Sequence, residues 1–222
     1  MKILIVFATR EESDILKKPG FTDLDKLIYG PHEISALVTG VGSVQTVWHV
    51  KHYFSMVNKP DLAINIGIAG SFTDEIPVGD VVMPVSDSFA DMGIETREGF
   101  IPLKEMGIVK VEECPFVTDR IYCINNYMRK IAHKLRTVRA ITVNTVTGTD
   151  ERAEKLRFLF NPDIETMEGA AFFYTCIMEN VPYIALRAVS NFVGERRSES
   201  WDMPLALKRL RNKLNEILLL IK

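Results

Sequence analysis

Short apolar runs alternate with amphipathic stretches along most of this chain. "KILIVFA" (2–8) is a bounded run of the kind a central buried strand shows, and "REESDILKK" (10–18) then takes helical spacing. "EISALVTG" (33–40) predicts a second strand, followed by a helix over "SVQTVWHVKHYFSMV" (43–57). "DLAINIG" (61–67) and "GDVVMPVSDSFA" (79–90) predict strands separated by the loop "IAGSFTDEIPV". "RAITVNTVTG" (139–148) and "PYIALRAVS" (182–190) predict two more, each leading through a loop into a helix. The last stretch places Leu207, Leu210, Leu214 and Leu218 in one apolar stripe.

Strand–helix alternation of this kind builds a mostly parallel central sheet flanked by helices, an α/β fold. No repeat, low-complexity segment or Pro/Gly/Ser-rich linker divides residues 1–222, so a single domain is expected. Ligands of such sheets bind beyond the carboxyl ends of the strands. The positions there are Glu12, Gly40 to Gly42, Gly67 to Gly70, Thr147 to Asp150, Ser190 and Asn191.

Composition narrows the class without choosing the chemistry. Hydrophobic residues at 47% and charged residues at 25% describe a globular chain, and a net charge of −2 gives no nucleic-acid surface. The basic group Lys208, Arg209, Arg211 and Lys213 reads as the solvated face of a helix. Three cysteines without a C-x-x-C pair argue for a reducing cytoplasm. The apolar start is too short for a signal peptide, and no stretch reaches the length of a membrane helix. His49 and His52 lack nearby acidic or thiol ligands, so no metal and no cofactor is expected.

Two glycine clusters stand at strand ends. "TGVGS" (39–43) lacks the third glycine of a dinucleotide fingerprint and the Lys-Ser/Thr of a P-loop, and reads as a tight turn. In "NIGIAGS" (65–71), Gly67, Ala69 and Gly70 let a flat ligand approach the backbone. "IETMEGAAFF" (164–173) opens an apolar helix with two carboxylates, Glu165 and Glu168. Helix-start chemistry, with Thr166 as the cap, is one reading; a pocket ligand gripping hydroxyls is the other. Glu12, Glu168, Arg187 and Asn191 fall at one end of the sheet if the strands are parallel. Their types suit N-glycosidic cleavage: one carboxylate to activate water, one to hold a sugar diol, an amide to pair with a base.

The segments "ATREE" (8–12), "TGVGSVQT" (39–46), "NIGIAGSFTDEIPVGDVV" (65–82), "TVTGTD" (145–150), "ETMEGAAF" (165–172) and "PYIALRAVSN" (182–191) resemble the nucleoside phosphorylase and nucleosidase superfamily. Within it, "ETMEGAAF" and "RAVSNFV" look most like the futalosine hydrolases, which remove hypoxanthine from futalosine in an alternative menaquinone pathway. The methylthioadenosine/S-adenosylhomocysteine nucleosidases and the purine nucleoside phosphorylases are the alternatives. The resemblance implies that Glu12 activates the attacking water and Arg187 helps position it. It implies that Glu168 binds the ribose hydroxyls over Met167, that Asn191 contacts the leaving purine, and that Trp201 lines the 5′ pocket. Glu165 is then left as the solvated carboxylate of the helix start. Ile68 replaces a loop serine of the nucleosidases, Glu151 an aromatic that covers the purine, and Asn191 an acid. Phe192 is expected to stack on the base in place of that aromatic. The carboxylate of a futalosine-like 5′ arm would need a partner such as Arg196, Arg197 or Arg97. The resemblance also implies a homo-oligomer, a dimer or larger.

Overall fold

A computed structural model describes residues 1–16, 27–57, 59–106, 114–195 and 201–221. The strands are β1 (Lys2–Phe7), β2 (Leu27–Tyr29), β3 (His32–Val38), β4 (Leu62–Ser71), β5 (Val81–Asp87), β6 (Gly93–Thr96), β7 (Gly99–Pro102), β8 (Ile121–Tyr122), β9 (Arg136–Thr142), β10 (Ile164–Thr166) and β11 (Tyr183–Phe192). The helices are α1 (Arg10–Ser13), α2 (Ser43–Met56), α3 (Asn126–Ile131), α4 (Asp150–Phe160), α5 (Gly169–Met178) and α6 (Met203–Leu220).

The expected α/β architecture is present. Among the described residues, nine strands form one sheet in the order β10-β9-β5-β11-β4-β1-β3-β2, with β8 on β5, and β6–β7 make a separate hairpin. β1 runs parallel to both neighbours, β3 and β4, and its residues from Ile3 to Phe7 are buried. That explains why its apolar run is continuous rather than alternating. The long β11–β4 pairing and the β5–β9 pairing are also parallel, while β5 meets β11 antiparallel, so the sheet is mixed. The last residues of β4 also pair with β10, Ile164 with Ser71 and Glu165 with Gly70. Because β10 pairs with β9 as well, β4, β11, β5, β9 and β10 close into a ring.

This closure corrects two expectations. "IAGS" is not loop but the end of β4, since β10 and β11 supply partners for its backbone. "IETMEGAAFF" is not one helix either: Ile164–Thr166 form β10, and α5 begins at Gly169 with Glu168 in the capping position. The helix expected after β1 is a single turn, α1, followed by a 3₁₀ turn at Asp14–Leu16. Lys17 and Lys18, the end of that expectation, lie outside the described residues. α6 buries Leu210, Leu214 and Leu218, leaves Leu207 half-buried, and turns Lys208, Arg209 and Arg211 outward. No helix among the described residues is long and apolar enough to cross a membrane.

Candidate active site

The strand ends converge on a cavity of about 260 Å³ lined by Glu12, Ala69, Gly70, Met167, Glu168, Asn191 and Trp201, with Glu165, Val146 and Ile68 among its other walls.

Glu12 is placed by its own neighbourhood. Thr9 caps α1: its hydroxyl accepts the Glu12 N–H at 3.2 Å, while Glu12 Oε2 accepts the N–H groups of Ala8 and Thr9 at 3.1 and 3.0 Å. The Thr9 hydroxyl also lies 3.2 Å from Oε2. One long-range donor completes the cradle, as the Ile68 N–H reaches Oε1 at 3.1 Å. Gly67 makes room for it, because a Cβ there would come within 2.7 Å of Oε1. Oε1 keeps acceptor capacity toward the cavity, since a carboxylate oxygen has two lone pairs.

Glu168 is placed by distant partners. Its Oε1 accepts the N–H of Gly42 at 2.9 Å, at the start of α2. Gly42 holds φ +93°, a conformation that favours glycine, which accounts for the second glycine of "TGVGS". Burial raises the Glu168 carboxyl above its ordinary range, and the Gly42 bond and the Arg187 charge offset part of the rise.

Arg187 stands behind the cavity rather than on its wall. Its guanidinium is 1% exposed and donates to the Asn65 and Leu186 carbonyls and to the Asn65 side chain, while Nε has no partner among the described residues. Burial lowers its pKa; the charges of Glu168, Glu12 and Asp87 hold the cation in place. Its reach toward the site is electrostatic, through the two cavity carboxylates.

Asn191 owes its aim to a bulge. β11 pairs Val189 with Ala69 but Asn191 with Gly70, so Ser190 is the extra residue. Asn191 Oδ1 accepts the Ser190 hydroxyl at 2.8 Å and Nδ2 donates to the Phe192 carbonyl at 2.9 Å. One N–H and one lone pair remain for a ligand. A Cβ on Gly70 would meet Val193 at 2.7 Å and Asn191 Nδ2 at 3.3 Å, so glycine is needed for this packing.

Several expected residues stand elsewhere. Phe192 is exposed and off the cavity wall, since strand alternation turns it away when Asn191 faces in. Trp201 is the aromatic on the wall among the described residues. Arg97 and Glu151 line a separate groove beside the β6–β7 hairpin and α4. Arg196 and Arg197 lie outside the described residues. Glu165 is not solvated: it is 5% exposed, with both oxygens accepting from Thr147. The reversal follows from β10, whose pairing with β4 turns this position into the ring. Thr147 and Ser190 fall at strand ends by sequence, but no sequence signal joins Thr147 to Glu165 across 18 residues.

The chain has relatives among known proteins. It is 35% identical, over 79% of its length and 71% of the relative's, to the futalosine hydrolase of Acidothermus cellulolyticus. It is 26% identical, over 86% of its length and 85% of the relative's, to a 5′-methylthioadenosine/S-adenosylhomocysteine nucleosidase of Buchnera aphidicola subsp. Acyrthosiphon pisum. Its fold matches a futalosine hydrolase mutant of Helicobacter pylori with a TM-score of 0.79, covering 98% of both chains at 20% identity. The model of the phosphorylase superfamily matches residues 7–221, and the chain belongs to that superfamily.

Proposed function

We propose that this chain hydrolyses the N-glycosidic bond of a 6-oxopurine nucleoside, futalosine above all, releasing hypoxanthine in menaquinone biosynthesis. The observation that carries the reading is the placing of Glu12, Glu168 and Asn191 on one cavity. The 35% identity to a futalosine hydrolase points to the same chemistry.

Each residue has a task its geometry suits. Glu12 takes a proton from water through the free capacity of Oε1, while its four donors stop the carboxylate from swinging. Water attacks the anomeric carbon as the glycosidic bond breaks, the electron pair leaves with the base, and a solvent water supplies the proton that N7 gains. Glu168 holds the ribose hydroxyls, and its charge, with that of Glu12, stabilises a cationic sugar. Arg187 keeps both carboxylates oriented from behind. Met167 and Trp201 pack against the sugar and the 5′ arm, and Ala69 and Gly70 lie against the base. Arg196 and Arg197 are the proposed partners of a 5′ carboxylate. The reading extends to a homo-oligomer in the cytoplasm, the former a matter for sedimentation analysis.

Asn191 carries the choice of base. Its free lone pair accepts N7–H of a departing 6-oxopurine while its free N–H donates to O6. Adenine would meet that N–H with its own amino group. The relative named as an adenosine-type nucleosidase, alike over more of the chain, makes the amino purine the second reading. A panel of futalosine, inosine, methylthioadenosine and S-adenosylhomocysteine, with and without phosphate, tests all of this by free base released. We expect phosphate-independent cleavage and a preference for 6-oxo substrates of about a hundredfold or more. Asn191→Asp should move that ratio toward adenine, because its second oxygen accepts from the amino group. An unchanged ratio would show that Asn191 does not read the base; phosphate-dependent cleavage would make the chain a phosphorylase.

A further inference from the structure

One carboxylate on the cavity wall has no part in that mechanism. Glu165 Oε1 accepts the Thr147 N–H at 2.9 Å, and Oε2 accepts the Thr147 hydroxyl at 2.5 Å. Thr147 belongs to the connection 143–149 between β9 and α4, whose Val146 lines the cavity. Among the described residues, that connection is anchored at three points. The Val143 N–H meets the Thr166 carbonyl, the Asn144 amide and side chain meet Asp91, and Thr147 meets Glu165. The Asp91 anchor is exposed and competes with water; the Glu165 anchor is buried. Register adds the location. Gly70 pairs with Glu165 on one side and with Asn191 on the other, so the Thr147 clasp stands at the level of the residue that reads the base.

We propose that Glu165 is a positioning residue, which holds the connection 143–149, and Val146 with it, as a wall of the substrate cavity by accepting both donors of Thr147. In its kinetic part the inference rests on the nucleosidase reading. Two acceptor oxygens on one carbon match the amide and hydroxyl of a single threonine. A glutamine keeps the arrangement, because its carbonyl accepts the amide N–H while its NH₂ donates to the Thr147 oxygen. An alanine leaves both donors buried without partners. A carboxyl on a cavity wall, raised by burial as Glu165 is, also suits a proton donor to the base. Glutamine separates the two roles, since it can position but cannot donate an acidic proton.

The test compares Glu165→Ala, Glu165→Gln and Thr147→Val in the full chain, reading KM and kcat on the nucleoside cleaved best and hydrogen exchange in peptides covering 143–149. For the alanine variant we expect KM to rise about tenfold with kcat within about threefold, and exchange in that connection to speed up by about tenfold or more. The glutamine variant should stay within about threefold of wild type on every readout, and Thr147→Val, which keeps the amide donor, should fall between. If the alanine variant fails to fold, Thr147→Val carries the same expectations at smaller size. Glutamine as damaging as alanine would overturn the proposal in favour of acid chemistry. Faster exchange with unchanged KM in the alanine variant would also overturn it, leaving a stability role alone. Should the wild type cleave no purine nucleoside, the nucleosidase reading falls, and the exchange arm still decides whether Glu165 holds the connection.

Discussion

Two buried carboxylates, Glu12 on α1 and Asp87 at the end of β5, are treated in opposite ways by the protein around them. Glu12 is 5% exposed and receives three backbone N–H groups and a hydroxyl. Asp87 is fully buried; Oδ1 receives the Thr142 hydroxyl, and Oδ2 has no partner among the described residues. The start of α5 lies directly over it, since a Cβ on Gly169 would come within 2.1 Å of Oδ2. The Ser88 backbone and the guanidiniums of Arg120 and Arg187 ease its charge, but burial outweighs them and pushes the carboxyl up to about 7. A carboxylate ringed by donors is held in one orientation, with its remaining lone pairs aimed. One with a single donor is a cost to the fold whenever it is charged.

The largest effect should come from breaking the Glu12 side. Glu12→Gln keeps the shape but cannot take a proton from water, so kcat should fall about 10²–10⁴-fold with the thermal midpoint nearly unchanged. Turnover within a few-fold of wild type would remove Glu12 from the mechanism.

The Asp87 side is sharpened by pH. Its folded pKa lies above the ordinary 3.8, so stability is fully present below about pH 4 and is lost as pH rises through about 7. At about 1.4 kcal/mol per unit, the loss is on the order of a few kcal/mol. Unfolding free energies of wild type and Asp87→Asn, measured from pH 4 to 8, should diverge in favour of the variant as pH rises. Parallel curves would mean that Asp87 is not the group responsible.

The smallest effect tests the Glu12 cradle itself. Gly67→Ala places a methyl group 2.7 Å from Oε1 and must push the carboxylate off its donors, while the backbone stays in extended geometry. A displacement of about 1 Å can cost on the order of a hundredfold, so kcat should fall tenfold to a hundredfold in a folded protein. Unchanged kcat would show that the cradle does not set the reactive geometry.

Legibility follows the same division. Glu12 was readable as a position just past β1, and in the structure three of its four donors lie within four residues. The strands of the sheet's parallel part were readable because burial on both faces forces continuous apolar runs, as in "KILIVF" of β1. Gly42, Gly67 and Gly70 stood out as glycines before their reasons were visible, which are a positive φ, the room for Glu12 and the room for Val193 and Asn191. Asn191 and Glu168 were reached as polar residues at one end of the sheet, the family resemblance gave their roles, and both lie on the cavity.

The reversal at Glu165, the withdrawal of Arg187 behind the wall and the turning away of Phe192 were not readable. Local pattern determined which segments become strands and helices, and three of the four donors of Glu12, which are its chain neighbours. Only the tertiary structure decided the partners of Glu168, 126 residues away, of Asp87, 55 away, and of Glu165, 18 away. The physical reason is that a buried charge takes whatever donors the packed sheet brings to it. For Glu165 that packing includes the pairing of β10 with the end of β4, which no local periodicity encodes.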